Sequence, residues 1–383
     1  MSHAPSDTLS RRHQRVRTAA AAGSLDALVV TSLPNILYLT NFDGSSAIVV
    51  LTAERLYFVT DFRYVTALED TRATGHVCPG LELVKVDGSY DGTLAALLAS
   101  FGATRIGFEA VHLTVSRHTW LAATLRNTLA VPPELVPTDG VVERLRARKD
   151  PYELETLREA ARRLSAVANG VFEEVRRGRT ERDVALAINS RIHQAGFERP
   201  AFDTIVASGP NAALPHARPG GRTLTEGDLV VLDFGGVYDS YCVDLSRTVS
   251  VGVPSARARE IHRAVVDAHD RAIASVGPGR SRFAIDAAAR DTLTRYGLGE
   301  AFGHSTGHGL GIEIHEEPRV TRRRPEVGPD SSGDDAVAAG MVFTIEPGAY
   351  LAGWGGVRIE DDVIVTEDGV EVITDVTTEL IEL

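Results

Sequence analysis

The chain has 383 residues, with 52 Asp and Glu against 40 Lys and Arg, a formal net charge of −12. That length predicts about two or three domains, and burial of roughly three quarters of the unfolded surface removes any need for a stabilising disulfide or structural metal. The acidic balance argues against nucleic acid and anionic membrane as partners, because both attract basic surface.

No apolar run approaches the roughly 18 residues of a membrane span. Cys78 and Cys242 lack metal-type spacing and fit a reducing cytoplasm. The N-terminal stretch SHAPSDTLSRRHQRVRTAAAAG has arginines but no apolar segment before a cleavage site, and predicts an amphipathic first helix.

Along residues 1–140, short apolar runs alternate with helical patterns. Ala27–Thr31, Ala47–Leu51 and Leu56–Thr60 are β-branched or aromatic, as buried strands are, with weaker strands at Leu81–Val86 and Arg105–Phe108. Leu94–Phe101 and Val115–Arg126 read as helices, so the first part is an α/β layer structure. No phosphate-cradling glycine loop follows the first strand, which disfavours a dinucleotide site. Pro132, Pro133 and Pro137 interrupt regular structure, and residues 141–150 read as a linker helix before a catalytic domain over 151–383.

Asp150 is an N-cap and Pro151 a first helical residue, opening a long helix expected to run to about Gly178. Thr180 and Asp183 form a capping box for a second helix, closed by Gly196. Two more helices are expected around Arg257–Val276 and Arg282–Tyr296. Strands are expected at Thr204–Ala207, Leu229–Asp233, Cys242–Val251, Val342–Ile345 and Val357–Val365, a segregated α+β pattern. The segment 321–340 is polar and rich in Gly and Pro, and reads as a mobile surface loop.

The chemistry lies in acidic and histidine side chains beside strands and turns. Asp233 closes an apolar run before two glycines, as an Asx turn or as a ligand facing a cleft. Asp244 lies within a strand pattern, where a buried carboxylate is costly unless paired or metal-bound. The two could face one point across a hairpin turning near Val237–Ser240. In GHSTGHGLGIEIHEE, residues 303–317, His304, His308 and His315 stand among glycines that make a helix improbable. Glu346 and Glu360 again set a carboxylate in an apolar strand context near glycine or proline. Four carboxylates cannot share one site ionised without cations. Two divalent ions about 3.5–4 Å apart would balance them, and carboxylate-rich donors favour manganese, with cobalt or zinc as alternatives.

Five ordered motifs, FDTIVASGPNAALPH (202–216), GDLVVLDFGGVYDSYCVDLSRT (227–248), GHSTGHGLGIEIHEEP (303–318), TIEPG (344–348) and GGVRIEDD (355–362), resemble those of the pita-bread metallopeptidases. This family includes methionine aminopeptidase, Xaa-Pro aminopeptidase (aminopeptidase P) and Xaa-Pro dipeptidase (prolidase). YLTNFDGSSA (38–47) and TDFRY (60–64) resemble its creatinase/prolidase-type N-terminal domain, which the short methionine aminopeptidases lack.

The resemblance implies an α+β chain, with a pita-bread catalytic domain behind an α/β N-terminal domain. It implies five metal ligands, Asp233, Asp244, His308, Glu346 and Glu360, with Asp244 and Glu360 bridging two ions. His216 and His315 would contact substrate and stabilise the tetrahedral intermediate, and His304 and Arg358 mark the proline-specific branch. The implied reaction is attack of a metal-bridging hydroxide on an Xaa-Pro carbonyl, with Glu346 handling the proton of the water. Ser240 and Val243 stand where the family often has glycine and serine.

The expected activity is Xaa-Pro aminopeptidase on peptides with proline at the second position, with Xaa-Pro dipeptidase as the alternative. The complete ligand set argues against a creatinase-like amidohydrolase and against an inactive binding protein. The expected setting is a cytoplasmic homodimer.

Overall fold

The computed structural model describes residues 3–71, 78–323 and 335–383. The chain divides into two compact units, Met1–Arg146 and Ala147–Leu383.

In the first unit, strands β1 (Ala27–Val30), β2 (Ile48–Thr52), β3 (Leu56–Thr60), β4 (Leu81–Lys85), β5 (Arg105–Glu109) and β6 (Glu134–Thr138) form one mixed sheet in the order β4-β3-β2-β1-β5-β6. Its helices are α1 (Ser6–Ala22), α2 (Leu33–Thr40), α3 (Phe62–Thr71), α4 (Tyr90–Ala99), α5 (Val115–Thr128) and α6 (Val141–Arg146). Val29, Val50 and Ile106 of the sheet pack against Leu94 and Leu98 of α4 and Leu121 and Leu125 of α5.

Two expectations fail here. The proline-rich stretch holds strand β6, which tolerates Pro137 because it is an edge strand. Val141–Arg146, expected as a linker, belongs to the first unit: Val142 and Arg146 are buried, and Arg146 Nη1 donates to Asn35 Oδ1 at 2.7 Å.

The second unit pairs helices with sheets in two halves. Helix α7 (Pro151–Val171) carries the Asp150–Glu153 capping box and α8 (Glu181–Gln194) the Thr180–Asp183 box. They pack on a sheet of β7 (Arg199–Pro200), β8 (Ile205–Ser208), β9 (Leu229–Tyr238) and β10 (Tyr241–Ser250). Helix α7 ends earlier than expected, passing into a 3-10 turn at Phe172–Glu174.

Helices α9 (Ala256–Ala274) and α10 (Arg282–Arg295) cover the other half. Here β11 (Gly307–Gly309), β12 (Glu316–Val320), β13 (Val342–Ile345), β16 (Asp361–Val365) and β17 (Val370–Val372) run in the order β12-β11-β13-β16-β17, beside a ribbon of β14 (Gly348–Leu351) and β15 (Gly355–Arg358). The expected strand Val357–Val365 is therefore two strands, broken at Ile359-Glu360. A bridge between Ser246 and Glu360 joins the two halves.

Of the 321–340 segment, residues 324–334 lie outside the described residues. Among the described residues no helix is long and apolar enough to cross a membrane. Burial pushes the thiols of Cys78 and Cys242 up to about 12, so both stay protonated and inert.

Candidate active site

The β9–β10 hairpin sets the first two carboxylates. Asp233 pairs with Ser246 and Asp244 with Gly235, so Asp233, Asp244 and Ser246 project from the same face. The two glycines after Asp233 do not end the strand as expected. Strand β9 continues to Tyr238, and the glycines serve close approach instead. A Cβ on Gly235 would lie 2.3 Å from Val243 O, and one on Gly236 2.5 Å from the Phe197 ring. The turn itself is made by Asp239 and Ser240, whose φ values of 47° and 69° are left-handed without glycine.

The other half supplies the remaining groups. Glu360 stands at the β15–β16 break, where its N–H donates to Ser246 O at 3.1 Å and its carboxylate accepts from Ser246 Oγ at 2.7 Å. Asp244 Oδ1 accepts from Leu245 N at 2.9 Å, and the Asp244 N–H donates to Asp362 Oδ2 at 2.9 Å. Glu346 follows β13, its N–H donating to Thr306 O at 2.7 Å. His308 on β11 has Nδ1 3.1 Å from Gly309 O, which requires the proton there and leaves Nε2 bare. That lone pair faces Glu346 Oε1 at 3.6 Å and Asp244 Oδ2 at 3.9 Å. Ligand atoms of Asp244, His308 and Glu360 all lie within 4.8 Å of one another, and all three residues are buried.

The cluster is thus mostly acceptors turned towards one another. Burial raises Asp244 well above the usual carboxylate range, and Asp233, Asp362 and Glu346 push it the same way. Glu360 rises for the same reason, burial first and then Asp244, Glu346 and Asp233. Burial pushes Glu346 up to about 7 against the pull of Arg358. His308 is lowered to about 3 by burial and then by His315, so it stays neutral with its lone pair available. Neutral imidazole beside unpaired carboxylates is a donor set that fits divalent cations.

Arg358 braces the site. Its Nη2 donates to Asp233 Oδ2, its Nε to Ser246 Oγ at 2.9 Å, and its Nη1 to Tyr350 Oη at 2.8 Å. Tyr350 in turn donates to His304 Nε2 at 2.9 Å, while His304 Nδ1–H donates to Ser305 O at 2.8 Å. Burial lowers His304 to about 4, so it is neutral at physiological pH.

All the site residues expected from the sequence line one cavity of about 410 Å³: Asp233, Asp244, His308, Glu346, Glu360, His216, His304, His315 and Arg358. His216 and His315 are the exposed members, so their rings are open to an incoming molecule. Sequence reasoning missed Ser246, Tyr350 and Arg319. Ser246 carries a readable signal, since it lies two residues beyond Asp244 on the same strand face. Tyr350 carries none, because its partners come from two other segments. Arg319 also lines the cavity, across the β11–β12 ladder from His308, and among the described residues its guanidinium has no hydrogen-bond or ion-pair partner.

Behind the cluster, buried Asp361 pairs with Arg247 Nη2 at 2.7 Å and His269 Nε2 at 3.1 Å, which fixes the start of β16 beside Glu360.

Residues 12–148 match the Creatinase/Prolidase N-terminal domain, and residues 155–367 match Metallopeptidase family M24. The chain is 31% identical to the Xaa-Pro dipeptidase of Pyrococcus horikoshii over 377 residues, covering 98% of this chain and 100% of that one. It is similar to the solved Xaa-Pro dipeptidase from Bacillus anthracis at a TM-score of 0.89 and 36% identity, covering 98% of this chain and 100% of that one. It is also similar to the X-Pro aminopeptidase from Thermotoga maritima MSB8 at a TM-score of 0.85 and 29% identity, covering 97% and 99%. With its creatinase-type first domain and a pita-bread second domain, the chain belongs to Metallopeptidase family M24.

Proposed function

We propose that this protein hydrolyses the Xaa-Pro bond of dipeptides at a centre of two divalent cations held by Asp233, Asp244, His308, Glu346 and Glu360. The observation that carries the reading is the bare His308 Nε2 turned towards Asp244 and Glu346, in a pocket of carboxylates raised by burial and then by mutual repulsion. Cations bound there supply Lewis acidity and lower the pKa of water. Manganese is the first choice for so carboxylate-rich a set.

The protein's own groups supply the rest. The Glu346 carboxylate lines the cavity beside His308, placed to take a proton from the attacking water and pass it on. His216 and His315, open to the cavity, are suited to donate hydrogen bonds to the substrate carbonyl as negative charge develops on it. Arg358 holds Asp233 in its ligand orientation. Arg319 offers an unpaired guanidinium, suited to the terminal carboxylate of a dipeptide.

The sequence ranks aminopeptidase ahead of dipeptidase. The 36% identity to the B. anthracis enzyme named Xaa-Pro dipeptidase, together with Arg319, supports the reverse order. The similarity to the T. maritima enzyme named X-Pro aminopeptidase supports the second reading. Manganese-loaded protein should cleave Ala-Pro faster than Ala-Pro-Ala, and chelation should abolish both activities. Preference for the tripeptide selects the aminopeptidase reading. Absence of cleavage with manganese, cobalt or zinc refutes both.

A further inference from the structure

The loop that carries His304 has little structure of its own. Gly303 has open space around it, and the 302–306 segment lies between a 3-10 turn at Gly299–Ala301 and strand β11. Beside Tyr350 on the His304 ring and Arg322 Nη2 on Phe302 O at 3.2 Å, helix α10 supplies a further hold on its backbone. Asp286, 1% exposed, takes Arg290 in a bidentate pair, with Nε at 2.9 Å and Nη2 at 2.7 Å. Asp286 Oδ1 also accepts from Thr306 N at 3.2 Å and Thr306 Oγ1 at 2.8 Å.

Arg290 then reaches both sides of Gly303, donating from Nη1 to Phe302 O at 3.0 Å and from Nη2 to His304 O at 2.9 Å. Its guanidinium stacks 4.3 Å from the Phe302 ring centroid, and that ring meets His304 edge-on at 5.0 Å. Thr306 O receives the Glu346 N–H at 2.7 Å. Neither Asp286 nor Arg290 lines the cavity.

We propose that Asp286 and Arg290 are positioning residues for hydrolysis: the pair clamps the 302–306 backbone and, through it, sets the His304 ring and the Glu346 carboxylate. The proposal rests on the reading of the cavity as a metal-dependent Xaa-Pro hydrolytic site. A planar guanidinium can serve two carbonyls and one carboxylate at once, which an ammonium cannot do with the same rigidity. Without Arg290, His304 O loses this donor and Phe302 O keeps Arg322 Nη2 at 3.2 Å. Release of the clamp frees the one segment that links His304 to the backbone of Glu346. Misplacement of a reacting group by about 1 Å costs about a hundredfold in rate.

The test uses the full-length protein with Arg290→Met, Arg290→Lys and Thr306→Val. Steady-state kinetics on Ala-Pro, cation content and amide hydrogen exchange are measured for each. Arg290→Met is expected to lower kcat about ten- to a hundredfold with KM within about twofold and cation content unchanged. Amide exchange at Thr306 and Glu346 should quicken. Arg290→Lys should fall between that variant and the wild type.

A kcat of Arg290→Met within about twofold of wild type, unchanged exchange at Thr306 and Glu346, or a loss seen in cation content rather than kcat would each overturn the proposal. If Arg290→Met does not fold, Thr306→Val removes only the hydroxyl end of the clamp, and its kcat and exchange are judged by the same criteria. If the wild type itself cleaves no Xaa-Pro peptide, the functional reading falls, while the exchange measurement still decides the clamp.

Discussion

Glu346, like its raised neighbours Asp244 and Glu360, ties stability to pH. Its carboxyl stands at about 7 in the folded protein against an ordinary 4.5, raised by burial. A raised acid binds its proton more tightly when folded, so its contribution to stability is present in full below about 4.5 and is lost as pH rises through about 7. The difference of 7 − 4.5 is about 2.5 pH units, or about 3 kcal/mol at 1.36 kcal/mol per unit. For a unit the size of Ala147–Leu383 this corresponds to about 6–12 °C in Tm.

After chelation of cations, Glu346→Gln should melt at the same temperature as wild type near pH 4.5 and above it by about that margin near pH 8. With manganese present the advantage should vanish or reverse, because the cations favour the ionised carboxylate. Differential scanning calorimetry across that pH range, with and without manganese, gives the four curves needed. A Tm difference between the two proteins that does not grow with pH under chelation would refute the reasoning, and so would an advantage that survives manganese.

Replacing Arg319 with methionine should raise KM for Ala-Pro about ten- to a hundredfold, the worth of a hydrogen bond to a charged group. The C-terminally amidated dipeptide should be little affected, and equal losses for both would rule out carboxylate recognition. Tyr350→Phe removes the hydroxyl between Arg358 and His304 and should lower kcat about tenfold without loss of bound cation, as kinetics beside metal analysis would detect. Ser240→Gly relieves a left-handed residue at the β9–β10 turn and should stabilise the fold by about 0.5–1 kcal/mol in urea unfolding, net of the added chain entropy.

Much of the site was legible because its residues follow local rules. Apolar runs marked β9, β10 and β13, and an acid inside such a run has few explanations other than a partner or a cation. Asp150 and Thr180 announced their helices, because capping needs only residues three positions apart. What was misread depends on contacts distant in sequence. The glycines after Asp233 looked like a turn, yet they exist because Val243 O and the Phe197 ring leave no room for a Cβ. Pro137 looked like a break because the edge position of β6 cannot be read locally. Arg290 lies within an ordinary helical pattern, and nothing near it in sequence announces that its fork reaches Phe302 and His304.

The Ser246–Glu360 bridge lies on the boundary between two separately cored halves, one built on α7 and α8 and the other on α9 and α10. Asp233 and Asp244 come from the first half, and His308, Glu346 and Glu360 from the second. A cation shared among them, as proposed, would be a staple across a seam, joining the two halves mechanically as well as serving the chemistry. On that proposal neither half alone would carry a working centre, and a chain cut near Val253 would regain one only where both fragments and the metal meet.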